Sequence, residues 1–156
     1  MSKNSRSELI QEFIAAIRAS QTAVEMLDAA VADHLGLHRT AFRCLDILDQ
    51  EGPMTVGRLA ELARLSPGAT TTVVDTLERK GLARRTRDTV DRRRVLVEVT
   101  PELGRMGEQL HGSMEEGVEA LSVYTDEQLR FLIEFLRGNV AYQEERMRRL
   151  EELRTG

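Results

Sequence analysis

From Ile10 onward, apolar residues recur at three- and four-residue steps or their multiples, through Ile14, Ile17, Val24 and Leu27 to Val31. That repeat marks one face of a long amphipathic helix, opened by a Ser5…Glu8 capping box and ended near Gly36. A second helix is predicted from Arg39 to Gln50, with Phe42, Leu45 and Leu48 on one face and Gly52-Pro53 closing it. Thr55 caps a short third helix that turns Leu59, Leu62 and Ala63 inward. Ser66-Pro67 is an N-cap followed by proline at the first helical position, and this fourth helix runs to about Lys80 before Gly81 stops it. Its inward stripe is Thr70, Val73, Val74 and Leu77; Gly68, Ala69, Thr72, Thr76 and Arg79 face outward.

After Gly81 the period drops to two. Residues 82–86 and 94–99 read as strands, the second alternating Val95, Val97 and Val99 on one face, with a polar tip at 87–93 between them. Thr100-Pro101 opens a fifth helix carrying Leu103, Met106, Leu110, Met114, Val118 and Leu121 on one side. A Thr125…Gln128 capping box opens a sixth, with Leu129, Leu132, Ile133, Leu136, Val140, Met147 and Leu150. The predicted fold is mainly α with a small β-hairpin. Two short helices joined by a tight turn and followed by a hairpin give a winged helix-turn-helix at 36–100. It is flanked by a helix at 1–35 and by helices at 101–156, within one compact domain.

Composition narrows the function. At 156 residues, 41% hydrophobic and 31% charged, the chain suits one ordinary globular domain. Its apolar runs are too short to span a bilayer, and the N-terminus lacks a signal-peptide layout, so a cytoplasmic protein with no membrane partner is expected. The formal net charge of −4 hides an asymmetry, for residues 53–100 hold ten Arg/Lys against six Asp/Glu. Between Arg84 and Arg94, six arginines face two aspartates. Such a segment is either a phosphate-contacting surface or a solvated charged hairpin. A helix fits the major groove of B-DNA, small residues at its start permit close approach, and threonines suit base edges or the thymine methyl. The expected DNA-contacting set is Ser66, Gly68, Ala69, Thr71, Thr72, Thr76, Arg79, Arg84, Arg85, Arg87, Arg92, Arg93 and Arg94.

The residues carrying this pattern resemble a known family. Met54 to Ala63, then Leu65-Ser66, Val74-Asp75, Leu77-Glu78 and Gly81-Leu82, are similar to the winged-helix core of the MarR family. Asp91-Arg92-Arg93-Arg94-Val95-Leu96-Val97-Glu98-Val99-Thr100 resembles the family's wing signature, D-x-R-x-x-x-V-x-L-T, with Val99 in the leucine position. The resemblance implies a homodimeric transcription regulator on a pseudo-palindromic double-stranded operator, in the main a repressor answering to a small apolar or aromatic-acid effector. It implies that Arg93 enters the minor groove and Asp91 braces the wing. It also places dimerisation on the first, fifth and sixth helices, here through Ile10, Ile14, Ile17, Leu132, Leu136, Val140, Met147 and Leu150. Those long apolar stripes support dimerisation independently, since a monomer would expose them. Arg64 stands where the family often has glycine, which predicts a strained or more open turn; Thr72 replaces a longer polar residue; and Gly104 falls one residue later than usual.

Other constellations carry less. Cys44, the single cysteine, excludes an internal disulfide and a cysteine-based zinc site; set between Phe42 and Leu45 near Asp46 and Asp49, it reads as a small buried hydrophobe rather than a thiolate sensor. His34 and His38 are four apart, but Gly36 lies between them and no third ligand is near, so no metal is expected. No phosphate loop, nucleophile elbow or HExxH motif is present, so neither an enzyme nor a cofactor is expected. The alternative from another class is a winged-helix module that binds protein instead of DNA.

Overall fold

The computed structural model describes residues 5–111 and 114–155, with side chains at 5–106 and 115–153. The elements in chain order are α1 (Arg6–His34), α2 (Arg39–Glu51), α3 (Val56–Ala63), α4 (Pro67–Arg79), β1 (Ala83–Arg87), β2 (Val95–Val99), α5 (Pro101–His111), α6 (Met114–Leu121) and α7 (Asp126–Thr155). The stretch predicted as a single fifth helix is thus described as two segments, and residues 112 and 113 lie outside the described ones. Of its predicted stripe, the side chains of Leu110 and Met114 also lie outside them.

Local signals set the helix starts. The Ser5 hydroxyl accepts from the Glu8 N–H at 3.3 Å while the Glu8 carboxylate accepts from the Ser5 N–H at 2.6 Å. Thr125 and Gln128 form the same reciprocal pair at the start of α7. Thr55 caps α3 and Ser66 caps α4, whose first residue, Pro67, lacks the N–H that would be unsatisfied there. At the start of α5 the Thr100 hydroxyl donates to the Gly81 carbonyl at 2.7 Å, fastening it to the turn between α4 and β1.

Two compact units are present, 1–110 and 111–156. In the first, Leu45, Leu48, Leu59, Val74, Leu77 and Val97 are fully buried in one cluster that joins α2, α3, α4 and β2. Each such side chain contributes about 1.5–3 kcal/mol through burial. The hairpin is antiparallel with Ala83 opposite Val99 and Arg87 opposite Val95, so Arg87 belongs to the strand and the tip is 88–94. An isolated bridge adds a third line to the sheet. The Met54 N–H donates to the Val97 carbonyl at 3.0 Å and the Val97 N–H to the Met54 carbonyl at 2.7 Å.

Of α1 only Val31 and Ala32 are buried, Val31 within the same cluster. Ile10 and Ile14 are exposed and Ile17 is half-buried. In the second unit, Leu132, Leu136, Val140, Met147 and Leu150 of α7 are exposed. Glu145 anchors the end of that helix. Hydrogen bonds from Arg149 and then Arg148 hold its carboxyl below the usual range.

Candidate nucleic-acid interface

The turn between α3 and α4 sets the angle of α4. It runs through Arg64 in the left-handed region, φ 53°, ψ 47°, with the Leu65 N–H donating to the Ala60 carbonyl at 2.9 Å. Only glycine adopts that conformation without steric cost, so the departure seen in the sequence is a strained arginine. The Arg43 guanidinium donates to the Ala63 carbonyl just before the turn, linking α2 to its shape.

On α4, Thr70, Val74 and Leu77 are buried and Val73 half-buried, leaving Gly68, Ala69, Thr71, Thr72 and Arg79 exposed and Thr76 half-exposed. The Thr70 hydroxyl, fully buried, is satisfied by donating to the Ser66 carbonyl at 3.0 Å. The outward threonines do likewise one turn back. Thr71 donates to Pro67, Thr72 to Gly68 and Thr76 to Thr72, at 3.0, 3.2 and 3.0 Å.

The arginines of the hairpin divide into two sets. Arg84 lies across the hairpin from Glu98 and is paired with it at 2.7 Å. Arg85 reaches back to α4: its guanidinium sits 2.8 Å from Asp75 and is bonded to Glu78, and its own N–H donates to Glu78 at 2.9 Å. Partial burial works against its charge, yet the hydrogen bonds and charges of Asp75 and Glu78 raise its pKa above the ordinary arginine value. Arg85 was expected to face phosphate; with carboxylates on two sides, it instead clamps the wing to α4. In the same act the two acids of α4 are neutralised.

Among the described residues, no carboxylate pairs with Arg87, Arg92, Arg93 or Arg94. The tip explains why. The Asp91 carboxylate accepts from the Arg93 N–H at 3.1 Å, and its carbonyl from the Arg94 N–H at 2.9 Å, so Asp91–Arg94 is a β-turn with Arg92 and Arg93 at its centre. Asp88 accepts from the Val90 N–H at 2.8 Å. Both aspartates therefore bind backbone, not the guanidinium of Arg92 or Arg94.

A cavity of about 440 Å³ lies against α1 and α2, its apolar lining including Met26, Ala29, Leu37 and Phe42. Its rim carries both signs, Arg39 and Arg43 against Glu25, Asp28, Asp33 and Asp46. His38 caps α2, its Nδ1 accepting from the Thr40 N–H at 3.4 Å, while His34 ends α1, so the two histidines belong to different elements. Cys44 is fully buried, and burial pushes its thiol pKa up against the lowering charge of Arg43.

A helix–turn–helix whose second helix exposes small and hydroxyl side chains, continued by a hairpin with an arginine-rich tip, defines a winged-helix DNA-binding protein. The chain belongs to the MarR family, whose model matches residues 37–95. It is 34% identical over 151 residues to the uncharacterized HTH-type transcriptional regulator YcgE of Bacillus subtilis (strain 168), covering 96% of this chain and 98% of that one. A MarR family transcriptional regulator from Silicibacter pomeroyi DSS shares 25% identity and the fold, with a TM-score of 0.58 over 92% of this chain and 97% of that one. NadR, solved in complex with 4-hydroxyphenylacetate, shares the fold at 22% identity and a TM-score of 0.54, over 88% of this chain and 94% of that one. The chain is a DNA-binding transcriptional regulator, of a family of regulators rather than enzymes. Among the described residues, no helix is long and apolar enough to cross a membrane.

Proposed function

We propose that the chain acts in the cytoplasm as a homodimeric repressor on a pseudo-palindromic operator, with α4 in the major groove and the 88–94 tip in the minor groove. The observation that carries this reading is the division of the arginines. Arg84 and Arg85 are taken by carboxylates of the protein, while Arg87, Arg92, Arg93 and Arg94 are left to meet phosphate or groove. Arginine suits a narrow minor groove because the groove concentrates negative potential. Dimerisation is supported by the exposed faces of α1, through Ile10 and Ile14 beside half-buried Ile17, and of α7, through Leu132, Leu136, Val140, Met147 and Leu150.

The α1–α2 cavity suits a small apolar or aromatic-acid effector in size, and NadR's complex with an aromatic acid fits that expectation. Arg43 lines the cavity and also holds the Ala63 carbonyl. An acid that drew Arg43 into the cavity would free that carbonyl beside the α3–α4 turn. This shifts DNA affinity only if the ligand favours a conformation that binds DNA poorly.

Operator binding measured against salt tests the reading. DNA binding predicts a linear fall of log affinity with log salt, about 0.9 per phosphate contact. A chain ending at Arg146, measured by light scattering, tests the dimer. A monomer with weakened operator binding is expected, and an intact dimer would remove those last turns from the interface. Binding to DNA that is insensitive to salt would favour the protein-interaction alternative.

A further inference from the structure

We propose that the exposed threonines of α4 select thymine through its methyl group and offer guanine no donor, so that the centre of each half-site is A·T. The inference rests on the reading of α4 as the major-groove helix. A hydroxyl has one proton to give. Thr71, Thr72 and Thr76 each give theirs to the carbonyl four residues back. What they retain toward the DNA is a methyl group and oxygen lone pairs. Thr76 retains less, since its oxygen also accepts from Arg79 Nη2 at 3.0 Å, which leaves one lone pair and the methyl. Gly68 and Ala69, exposed beside them, bring no polar side-chain atom.

The base edges sort themselves against that surface. Either pair presents two acceptors and one amino donor in the major groove: guanine N7 and O6 with the cytosine amino group, or adenine N7 and thymine O4 with the adenine amino group; thymine alone adds a methyl. The acceptors of both pairs go unmatched on this surface, so the thymine methyl, packed against the threonine methyls, decides in favour of A·T. To donate to a base, a threonine must give up its carbonyl four residues back. The first long donor on the helix is Arg79, at its last residue and already bonded to Thr76. Ser66 keeps its proton, because its hydroxyl accepts from the Ala69 N–H at 3.3 Å, but at the helix N-cap it is placed for phosphate.

The test is selection from randomised duplexes by the full-length chain, with Thr72→Val and Thr72→Ser in parallel and circular dichroism to confirm that both variants fold. T·A pairs are expected at the centre of each half-site. Thr72→Val, which keeps the methyl, should retain the thymine at one position, and Thr72→Ser should lose it. Replacing that thymine by deoxyuridine, which removes one methyl, should cost the wild type about fourfold in affinity, as burial of one methyl-sized group implies, and cost Thr72→Ser nothing. A central guanine that Thr72→Val abolishes would overturn the inference and leave the DNA-binding reading intact. So would wild-type binding indifferent to deoxyuridine. Enrichment of no sequence at all would overturn the underlying reading and the inference with it.

Discussion

Replacing Arg85 by methionine keeps the side-chain stem and removes the charge and the donors. The guanidinium and Glu78 are each about a third exposed, at 29% and 31%, and Asp75 is 54% exposed. Fully exposed pairs are worth about 0.2–1 kcal/mol, and breaking a buried one costs about 3–5 kcal/mol. The clamp lies between these limits and toward the lower, because both carboxylates can rehydrate and Glu78 keeps the Arg85 N–H. A loss of about 1–2 kcal/mol is expected from urea denaturation, or about 2–4 °C in Tm per kcal/mol for a chain of this size. Operator affinity should fall too, since Asp75 is left facing the duplex uncompensated. The slope of log affinity against log salt, however, should hold its wild-type value, because no phosphate contact is removed. Arg92→Met makes the contrast: unchanged stability and a slope shallower by about 0.9. Wild-type stability in Arg85→Met together with that shallower slope would show that Arg85 binds phosphate and that the clamp is idle.

Arg93→Ala should cost about 1–3 kcal/mol of operator binding, most on A·T-rich flanks, with folding and dimerisation unchanged. A wild-type profile across flank variants would refute a minor-groove role, and equal losses in Arg92→Ala and Arg94→Ala would make the tip a diffuse phosphate patch. Arg64→Gly relieves the left-handed backbone and should stabilise by about 1 kcal/mol, read as a higher urea midpoint at constant slope. A lower midpoint would mean that the arginine's own contacts outweigh the strain. Cys44 should resist alkylation at neutral pH in the folded chain and react fully in urea, because burial both covers the thiol and raises its pKa. Native reaction at the rate of a free thiol would return it to the candidates for redox sensing.

The helix starts were legible because their causes are local: Ser5 with Glu8, Ser66 with Pro67 and Thr125 with Gln128 lie within one turn of one another. The inward stripe of α4 was legible for the same reason, as a helical period fixes a face. Arg85 was not, since its partners lie seven and ten residues back on another element, and only the packing of β1 against α4 brings them together. The pairing of Met54 with Val97 left no trace in the pattern, for a bridge one residue long has no repeat to recognise.

That bridge divides the wing into a part that is fixed and a part that is free to vary. Val97 is bonded on both its N–H and its carbonyl to Met54, and Thr100 is tied to Gly81 and Leu82, so the root of the hairpin is held from both sides. The tip from 88 to 94 is held only by its own turns. Residues added or lost there alter how far the wing reaches while leaving the pitch of α4 unchanged. A residue inserted between Gly52 and Met54 would shift the bridge by one, move Met54 off Val97 and unseat the root and α3 together. Changes in the length or residues of the tip can thus alter contact with the operator flanks independently of the bases that α4 reads.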